Sequence, residues 1–387
     1  MKKQSVVVII FMSACILKAF AGIAKTLPQN PSWPIFRGDS RLSGLCDVQL
    51  PDDLHLLWSK KIGEEIKSSP VIGHGRIYIG SDNGKVYALS LMKGETLWEF
   101  ATGDMIEASP LLVGHTVFVG SLGGTFYALS ANDGKLQWSI PIGSRIAGSA
   151  NWLPSPDGGS AWIFIGSYDN TIYCIDSHAG KKVWAYKTDN YINGTPSVHK
   201  GKVIFGGCDA KVHVVSSTDG KAIGIIDTGS YIPGSIACAD TYAFVGNYAN
   251  TFLCIDILSK KIVWAYGDEE RGSPFFSSPA ISGDRAVIGC RDGFLYCINR
   301  KNGKRIWSFR SRGEIDSSPI ICGDKVVVGS NDGRVYMLSL ADGKKIWSYE
   351  IGAAITSTPA AVPGTMVISA EDGLIYAFGA QQKGVLK

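Results

Sequence analysis

Short apolar runs, each bounded by glycine and polar residues, follow one another along most of the chain. The first four runs predict strands at 69–72, 76–81, 85–90 and 96–100. Runs this short, joined by turn residues, are typical of β-strands, because a helix needs a longer apolar stripe. The 46 glycines and the low content of charged residues (19%) agree with this. We expect an all-β protein.

A tryptophan at a fixed interval shows that this set of four strands is repeated. Gly94 lies four residues before Trp98, and the same offset recurs in later units, although Lys260 replaces one glycine and Gly224 one tryptophan. The series is Trp58, Trp98, Trp138, Trp184, Gly224, Trp264, Trp307 and Trp347, with steps of 40, 40, 46, 40, 40, 43 and 40 residues. A period near 40 residues with four short strands per unit predicts a β-propeller.

The turn between the second and third strands supports the same register. Its second central residue is Gly84, Gly124, Asn170, Ala210, Asn250, Gly293, Gly333 or Gly373. Glycine and asparagine adopt positive φ at low cost, so the pattern predicts two-residue hairpins, with Ala210 as the exception.

Counting the units predicts how the ring closes. Eight first strands are present, but the last unit stops near Ala380 without a tryptophan, and the strand carrying Trp58 has no unit before it. Pairing these two ends removes two free sheet edges. We predict an eight-bladed propeller of four-stranded antiparallel blades over residues 53–380, closed by the N-terminal strand, with an irregular lead-in (22–52) lying over it and a tail (381–387).

The first 21 residues have the features of a secretory signal peptide. Lys2 and Lys3 precede an apolar run over 5–17, and a small-residue cleavage site ends at Ala21. The run is short for a membrane span. Processing at Cys15 to give a lipid-anchored protein is the alternative. Both interpretations predict export to the periplasm or cell envelope.

The net charge argues against nucleic acid as a partner. It is +4 for the whole chain and falls to +1 if Lys2, Lys3 and Lys18 leave with the signal peptide. Nucleic-acid binders concentrate a much larger positive charge on one face.

The cysteines follow neither a disulfide nor a metal pattern. Eight of nine remain after export, an even number that is compatible with disulfides. However, Cys174, Cys254 and Cys297 occupy a repeat position that Ala88 and Ala128 hold elsewhere. Equivalent positions in different blades lie too far apart to be bridged. We interpret most of the cysteines as packing residues and leave their redox state open.

The Ala-x5-Gly-x3-Trp pattern resembles the tryptophan-docking motif of the pyrroloquinoline-quinone-type (PQQ-type) propeller repeat. The resemblance covers nearly all of 56–380, and 33–38 (Trp-Pro-Ile-Phe-Arg-Gly) is similar to the start of exported proteins with this repeat. Two groups share the fold: quinoprotein dehydrogenases, and non-catalytic envelope proteins similar to BamB, the outer-membrane barrel-assembly scaffold.

The resemblance implies that the tryptophans are structural. Each is expected to pack between blades against the small residue of its motif. The implied pairs are Trp58 with Ala377, Trp98 with Ala88, Trp138 with Ala128 and Trp184 with Cys174; Trp264, Trp307 and Trp347 follow the same rule. Gly224 interrupts the series between blades four and five.

The loops that enter the first strands are the candidate binding region. Every loop carries a serine or threonine, which we expect to satisfy a backbone group at the inner rim. The positions that vary between repeats carry any specificity. One set is Lys67, Glu107, Ala147, Asn193, Pro233, Phe276, Asp316 and Thr356; the other is Glu65, Met105, Arg145, Tyr191, Tyr231, Pro274, Glu314 and Ala354. The candidate binding residues are Lys67, Glu107, Arg145, Tyr191, Asn193, Tyr231, Arg271 and Asp316.

Three functions stay open. The first is a non-catalytic envelope scaffold that engages a protein partner through one propeller face. The second is a quinoprotein dehydrogenase, for which the resemblance implies PQQ held between a tryptophan and two adjacent cysteines, a Ca²⁺ ion and an Asp base. The chain has no adjacent cysteines, so neither cofactor is supported. The third is a glycan or small-molecule sensor using Tyr191, Tyr231 and Asn193. We favour the scaffold, without naming its partner.

Overall fold

A computed structural model describes residues 31–267 and 272–381, which form 33 β-strands and no helix. The strands build eight antiparallel blades arranged as a propeller, which confirms the predicted architecture. The N-terminal strands are β1 (Leu45–Cys46) and β2 (His55–Lys61). Blade one comprises β3 (Val71–Gly73), β4 (Arg76–Gly80), β5 (Lys85–Ser90) and β6 (Thr96–Ala101). Blade two comprises β7 (Leu111–Val113), β8 (Thr116–Gly120), β9 (Thr125–Ser130) and β10 (Leu136–Pro141).

Blades three to five repeat this order. Blade three comprises β11 (Asn151–Pro154), β12 (Ala161–Gly166), β13 (Thr171–Asp176) and β14 (Lys182–Lys187). Blade four comprises β15 (Ser197–His199), β16 (Lys202–Gly206), β17 (Lys211–Ser216) and β18 (Ala222–Asp227). Blade five comprises β19 (Ala237–Ala239), β20 (Tyr242–Gly246), β21 (Phe252–Asp256) and β22 (Lys261–Tyr266).

The last three blades bring the chain back to its beginning. Blade six comprises β23 (Ala280–Ser282), β24 (Arg285–Gly289), β25 (Phe294–Asn299) and β26 (Arg305–Arg310). Blade seven comprises β27 (Ile320–Cys322), β28 (Lys325–Gly329), β29 (Arg334–Ser339) and β30 (Lys345–Glu350), with β1 added in parallel to β27. Blade eight comprises β31 (Ala360–Val362), β32 (Thr365–Ser369) and β33 (Leu374–Gly379), and β2 is its outer strand. Trp58 of β2 lies opposite Ala377, as predicted.

The turn between the second and third strands differs from the predicted two-residue hairpin. In blade one, four residues from Ser81 to Gly84 connect β4 to β5, and the Gly84 amide donates to the Ser81 carbonyl at 3.1 Å. Positive φ at the second predicted position is confirmed in every blade. Ala210 adopts it as well, with φ of 63°.

Neighbouring blades are joined by an indole that lies on a glycine. Trp98 is in register with Ala88 of its own blade, as expected, but its ring also reaches Gly134 of the next blade. A Cβ atom at Gly134 would lie 2.7 Å from that ring, and Gly134 has φ of +72°, so both space and backbone require glycine. The Trp98 Nε1 donates to the Ala131 carbonyl at 3.1 Å.

The same contact occurs at five further junctions. The pairs are Trp58 on Gly94, Trp138 on Gly180, Trp184 on Gly220, Trp264 on Gly303 and Trp307 on Gly343. Each of these indoles donates to a backbone carbonyl of the next blade at 2.9 to 3.1 Å. Sequence analysis did not assign these glycines to the preceding tryptophan.

The two departures from the repeat meet at one junction. Gly224 replaces the tryptophan of blade four, and Lys260 replaces the glycine of blade five. A Cβ atom at Gly224 would lie 3.0 Å from Cδ and Cε of Lys260, which has φ of 60°. The aliphatic part of the Lys260 side chain therefore covers Gly224. At this junction blade five supplies the large residue and blade four the small one, the reverse of the other junctions.

Residues 33–46 of the lead-in lie along the inner edges of the first strands, inside the channel, rather than over the propeller surface as predicted. The middle amides of six first strands donate to its backbone carbonyls at 2.7 to 2.9 Å; the donors are Ile72, Leu112, Val198, Cys238, Ile281 and Ile321. In blade three Asn151 Nδ2 donates to the Ser40 carbonyl, and in blade eight the Ala361 carbonyl accepts from Cys46 Sγ. Innermost strands have a free edge at the axis, and the lead-in supplies the acceptors that this edge needs.

Arg37 of the lead-in is fully buried beside the axis. Its Nη1 and Nη2 donate to the carbonyls of Pro319 and Pro279, each at 2.5 Å. Burial lowers the pKa of Arg37 to about 9, against the opposing effect of Asp39. The guanidinium is therefore charged at neutral pH and ties the lead-in to blades six and seven.

We expect the substitutions G224W and K260G to be strongly coupled. G224W alone should destabilise the protein by about 1–3 kcal/mol, because its ring collides with the lysine stem. The double variant recreates the indole-on-glycine contact and should be more stable than either single variant. Urea unfolding of all four proteins measures the coupling, expected to be at least about 1 kcal/mol. Additive effects would contradict this description of the junction.

Arg37→Ala should lower the free energy of unfolding by at least about 2 kcal/mol, because two buried carbonyls lose their donor and a cavity opens. Arg41→Ala is the matched control, since Arg41 is exposed and pairs with Asp39 at 2.8 Å. Its cost should stay below about 1 kcal/mol. Equal losses in thermal or urea unfolding would show that burial of Arg37 has no special role.

Candidate functional site

The predicted rim positions come together at one mouth of the channel. This end, called here the loop face, carries the loops between blades and the turns between second and third strands. A recess of about 180 Å³ opens at its centre. Seven of the eight variable positions line it, namely Lys67, Glu107, Ala147, Asn193, Pro233, Phe276 and Thr356.

A ring of hydroxyl groups forms the wall of this recess. The Ser69 amide donates to Ser109 Oγ of the next blade at 3.1 Å, and the Thr358 amide of blade eight donates to Ser69 Oγ at 2.8 Å. Five more links of the same kind join Ser109, Ser149, Thr195, Ser235, Ser278 and Ser318. The prediction that these hydroxyls satisfy backbone groups is confirmed for seven of the eight. Each hydroxyl keeps a proton to donate.

The lead-in reaches the recess from the opposite end of the channel. Phe36 is among its lining residues, and the next residue in the chain is the buried Arg37. The recess is therefore a shallow polar depression, not an open passage to the other face.

A lysine surrounded by carboxylates occupies the part of the rim formed by blades one and two. Lys67 Nζ lies 3.2 Å from Glu65, 3.7 Å from Glu107 and 3.9 Å from Asp82. Burial alone would lower the pKa of Lys67, but these carboxylates raise it above its ordinary value. Burial raises the pKa of Asp82. The cluster has more acid than base and is a negatively charged sector.

A second charged pair belongs to blades six and seven. Asp316 does not line the recess, because Arg291 holds it through two hydrogen bonds of 2.8 and 3.0 Å. The Arg291 guanidinium also stacks on Phe276, with 3.4 Å to the ring centroid. Glu314 lies 3.6 Å from Arg291 on its outer side.

Aromatic side chains dominate the rim of blades three to five. Tyr191 stacks on Tyr168 at 4.9 Å with 6° between the rings, and Arg145 lies over Tyr168 at 5.3 Å. Tyr191 and Tyr231 are 47% and 54% exposed, and Tyr248 is 52% exposed. We call Tyr191, Tyr231 and Tyr248 the tyrosine patch.

Sequence analysis missed an outer ring of residues on this face. They are the second residues of the turns between second and third strands: Asp82, Leu122, Tyr168, Cys208, Tyr248, Arg291, Asn331 and Glu371. In all eight blades their amides donate to the carbonyl of the predicted loop position beside them, as Tyr248 does to Tyr231 at 2.8 Å. The register of the turns could have revealed this ring, because every turn lies at the same height.

The remaining predicted residues lie in different parts of the propeller. Arg271 is outside the described residues. Asn193 lines the recess and its Nδ2 contacts Cys208 Sγ at 3.0 Å. Residues 155–160 connect β11 to β12 and lie on the opposite face from the rim. His74 and His115 lie in first-to-second-strand turns on that opposite face; their exposed rings stack with 4.7 Å between the centroids.

Within residues 31–267 and 272–381, no group of three or more His, Cys, Asp or Glu side chains could hold a metal ion. No helix in this part of the chain is long and apolar enough to cross a membrane.

Comparison with known proteins assigns the family. No curated protein sequence matches the chain. A family model described as outer membrane protein assembly factor BamB matches residues 51–151, 144–223 and 209–386. The chain belongs to the BamB family. The resemblance inferred from the repeat is thereby confirmed.

Solved structures show how widely this BamB-family fold is shared. BamB from Moraxella catarrhalis is 19% identical with a TM-score of 0.71, covering 86% of this chain and 99% of that one. A quinohemoprotein alcohol dehydrogenase from Pseudomonas putida is 12% identical with a TM-score of 0.78, covering 92% and 81%. The corresponding enzyme from Comamonas testosteroni is 14% identical with a TM-score of 0.77, covering 92% and 82%. At these identities the likeness shows the fold alone.

The recess of this BamB-family propeller does not suit a quinone cofactor. Its described lining contains neither tryptophan nor cysteine, the groups that the resemblance implies for holding PQQ. Its volume of about 180 Å³ is also below the range of about 300–1,000 Å³ usual for sites that enclose a small molecule. Serine, threonine and glycine line most of its wall.

We expect the hydroxyl ring to depend on each member. Ser235→Ala removes the acceptor of the buried Thr195 amide and should cost about 1–3 kcal/mol. Ser235→Thr keeps the hydroxyl, which threonine already supplies at Thr195 and Thr358, and should be nearly neutral. Chemical denaturation compares the two variants. An alanine variant as stable as wild type would mean that the ring contributes nothing measurable.

Proposed function

We propose that this BamB-family propeller is a non-catalytic scaffold of the cell envelope that binds a protein partner through its loop face. The observation that carries the proposal is the tyrosine patch, whose three rings are about half exposed on two loops between blades and one turn within blade five. Tyrosine is enriched at the energetic centres of protein interfaces, because it buries a large area at low entropic cost.

The rigidity of the patch favours binding. Tyr191 is held by its stacking on Tyr168, and the Tyr231 carbonyl accepts from the Tyr248 amide. A backbone fixed by hydrogen bonds and a ring held by stacking, as in Tyr191, lose little freedom when a partner docks, so more of the contact energy remains as affinity.

Charged residues on the same face would orient the bound partner. The Lys67 cluster makes the sector of blades one and two acidic, whereas the patch itself is neutral. A partner that covers both would place basic residues over blades one and two and apolar residues over blades four and five. Complementary charge of this kind mainly sets orientation and association rate.

The cellular setting belongs to the same proposal. Residues 1–21 would direct export, with cleavage after Ala21 or lipid attachment at Cys15, and the partner would be an envelope protein. The family description, outer membrane protein assembly factor, supports a partner concerned with assembly in the outer membrane.

A photo-crosslinking residue at position 231 should give a discrete protein adduct in cells of the native source. Position 258 is the control, because Leu258 is 65% exposed on the opposite face of the same blade. Adding Y191A and Y248A to the position-231 protein should reduce the adduct at least about 10-fold, since interface tyrosines commonly contribute 1–2 kcal/mol each. Equal adducts from both positions, or none from position 231, would contradict the proposal.

Two assays distinguish the scaffold from the sensor and the dehydrogenase. Binding on a glycan array that Y191A/Y231A abolishes would favour the sensor, because stacked tyrosine faces also hold sugar rings. Dye-linked alcohol oxidation after adding PQQ and Ca²⁺ should stay at background; activity above it would favour the dehydrogenase.

A further inference from the structure

The lead-in ends against blade seven with two cysteines side by side. Strand β1 pairs in parallel with β27, so that Leu45 matches Ile321 and Cys46 matches Cys322. Residues matched across neighbouring strands have Cα atoms about 5 Å apart, within the 4.4–6.8 Å range found for disulfides.

Packing shows that both thiols point to the same side of this sheet. Cys46 and Cys322 belong to one apolar cluster with Ala361 of blade eight. Leu45 and Ile321 pack into a different cluster, towards blade six. Cys46 Sγ donates to the Ala361 carbonyl at 3.4 Å.

The two sulfur atoms interact electrostatically. The thiol of Cys322 lowers the pKa of Cys46, although burial opposes this effect. The reciprocal interaction, together with burial, raises the pKa of Cys322 well above its ordinary value. The two thiols are therefore close enough to interact directly.

The other described cysteines are placed differently. Burial raises the pKa of Cys174, Cys254 and Cys297, and each of them is matched in register with a tryptophan. In the described strands, no second pair of cysteines is matched across a sheet. Cys46 and Cys322 are thus the pair that geometry selects.

We propose that Cys46 and Cys322 form an intramolecular disulfide when the protein folds in an oxidising compartment, fastening the lead-in to blade seven. The thiolate of one of the two cysteines attacks a disulfide of glutathione or of a protein oxidant and releases one thiol. The thiolate of the other cysteine then displaces the second thiol from the mixed disulfide. Two electrons and two protons pass to the oxidant, which leaves as two thiols.

The bridge would secure the segment that fills the channel. Cys46 and Cys322 are 5% and 0% exposed, so the bridge would form during folding and then be shielded from reductants. Formation of the disulfide in cells rests on the proposed export, whereas its formation in a glutathione buffer does not.

The test uses the purified full chain refolded in glutathione buffer rich in the disulfide form. The protein is denatured, its free thiols are alkylated, and its peptides are mapped by mass spectrometry. We expect the peptides of Cys46 and Cys322 to be linked and lighter by two hydrogen atoms, with the other cysteines alkylated. Reduction should lower the melting temperature by at least about 3 °C. C297S should keep this shift, and C46S and C322S should lose it.

Two results would overturn the disulfide: alkylation of both thiols after oxidative refolding, or linkage of either one to a different cysteine. Mapping of protein isolated from its native source answers a separate question. A pair that oxidises in glutathione buffer but is recovered reduced from cells would contradict export and leave the chemistry of the pair intact.

Discussion

The contact on which the propeller depends is an indole of one blade lying on a glycine of the next. A blade by itself is a small twisted sheet with too little apolar area to fold alone. Its tryptophan crosses to the neighbour, covers apolar area there and donates to a backbone carbonyl. Six of the eight junctions have this contact. The contact between blade eight and blade one is formed by Trp58, and this is why the strand with Trp58 must return to blade eight.

The centre of the ring imposes a second constraint. Eight first strands present one free edge each to the axis, where their polar backbone groups need partners. Near the loop face the serine and threonine hydroxyls accept these amides. Deeper in the channel the lead-in does so, with Arg37 donating to carbonyls. The hydroxyl groups and the lead-in together fill the channel except for a shallow recess. The surface that remains for binding is the rim around this recess.

The sequence predicted those features that recur in every repeat, because repetition makes weak local signals add up. The blade number, the closure and the role of the hydroxyls all follow from the period. It could not predict contacts between residues that lie far apart along the chain. Gly224 and Lys260 look like unrelated defects until the indole of one blade is known to meet the glycine of the next. The contacts of Arg37 and the pairing of Cys46 with Cys322 could not be predicted for the same reason, because only the path of the lead-in brings these residues to their partners.

Hydrogen exchange of the outer strands, followed by mass spectrometry, tests most directly whether indole contacts hold the blades together. Strand β18, whose residue 224 is glycine, should exchange its amides faster than the outer strands that carry Trp98, Trp138, Trp184 or Trp307, because only lysine methylenes cover its junction. Equal protection of β18 and these strands would contradict the account, since closure would then depend on the strands themselves and not on the indole contacts.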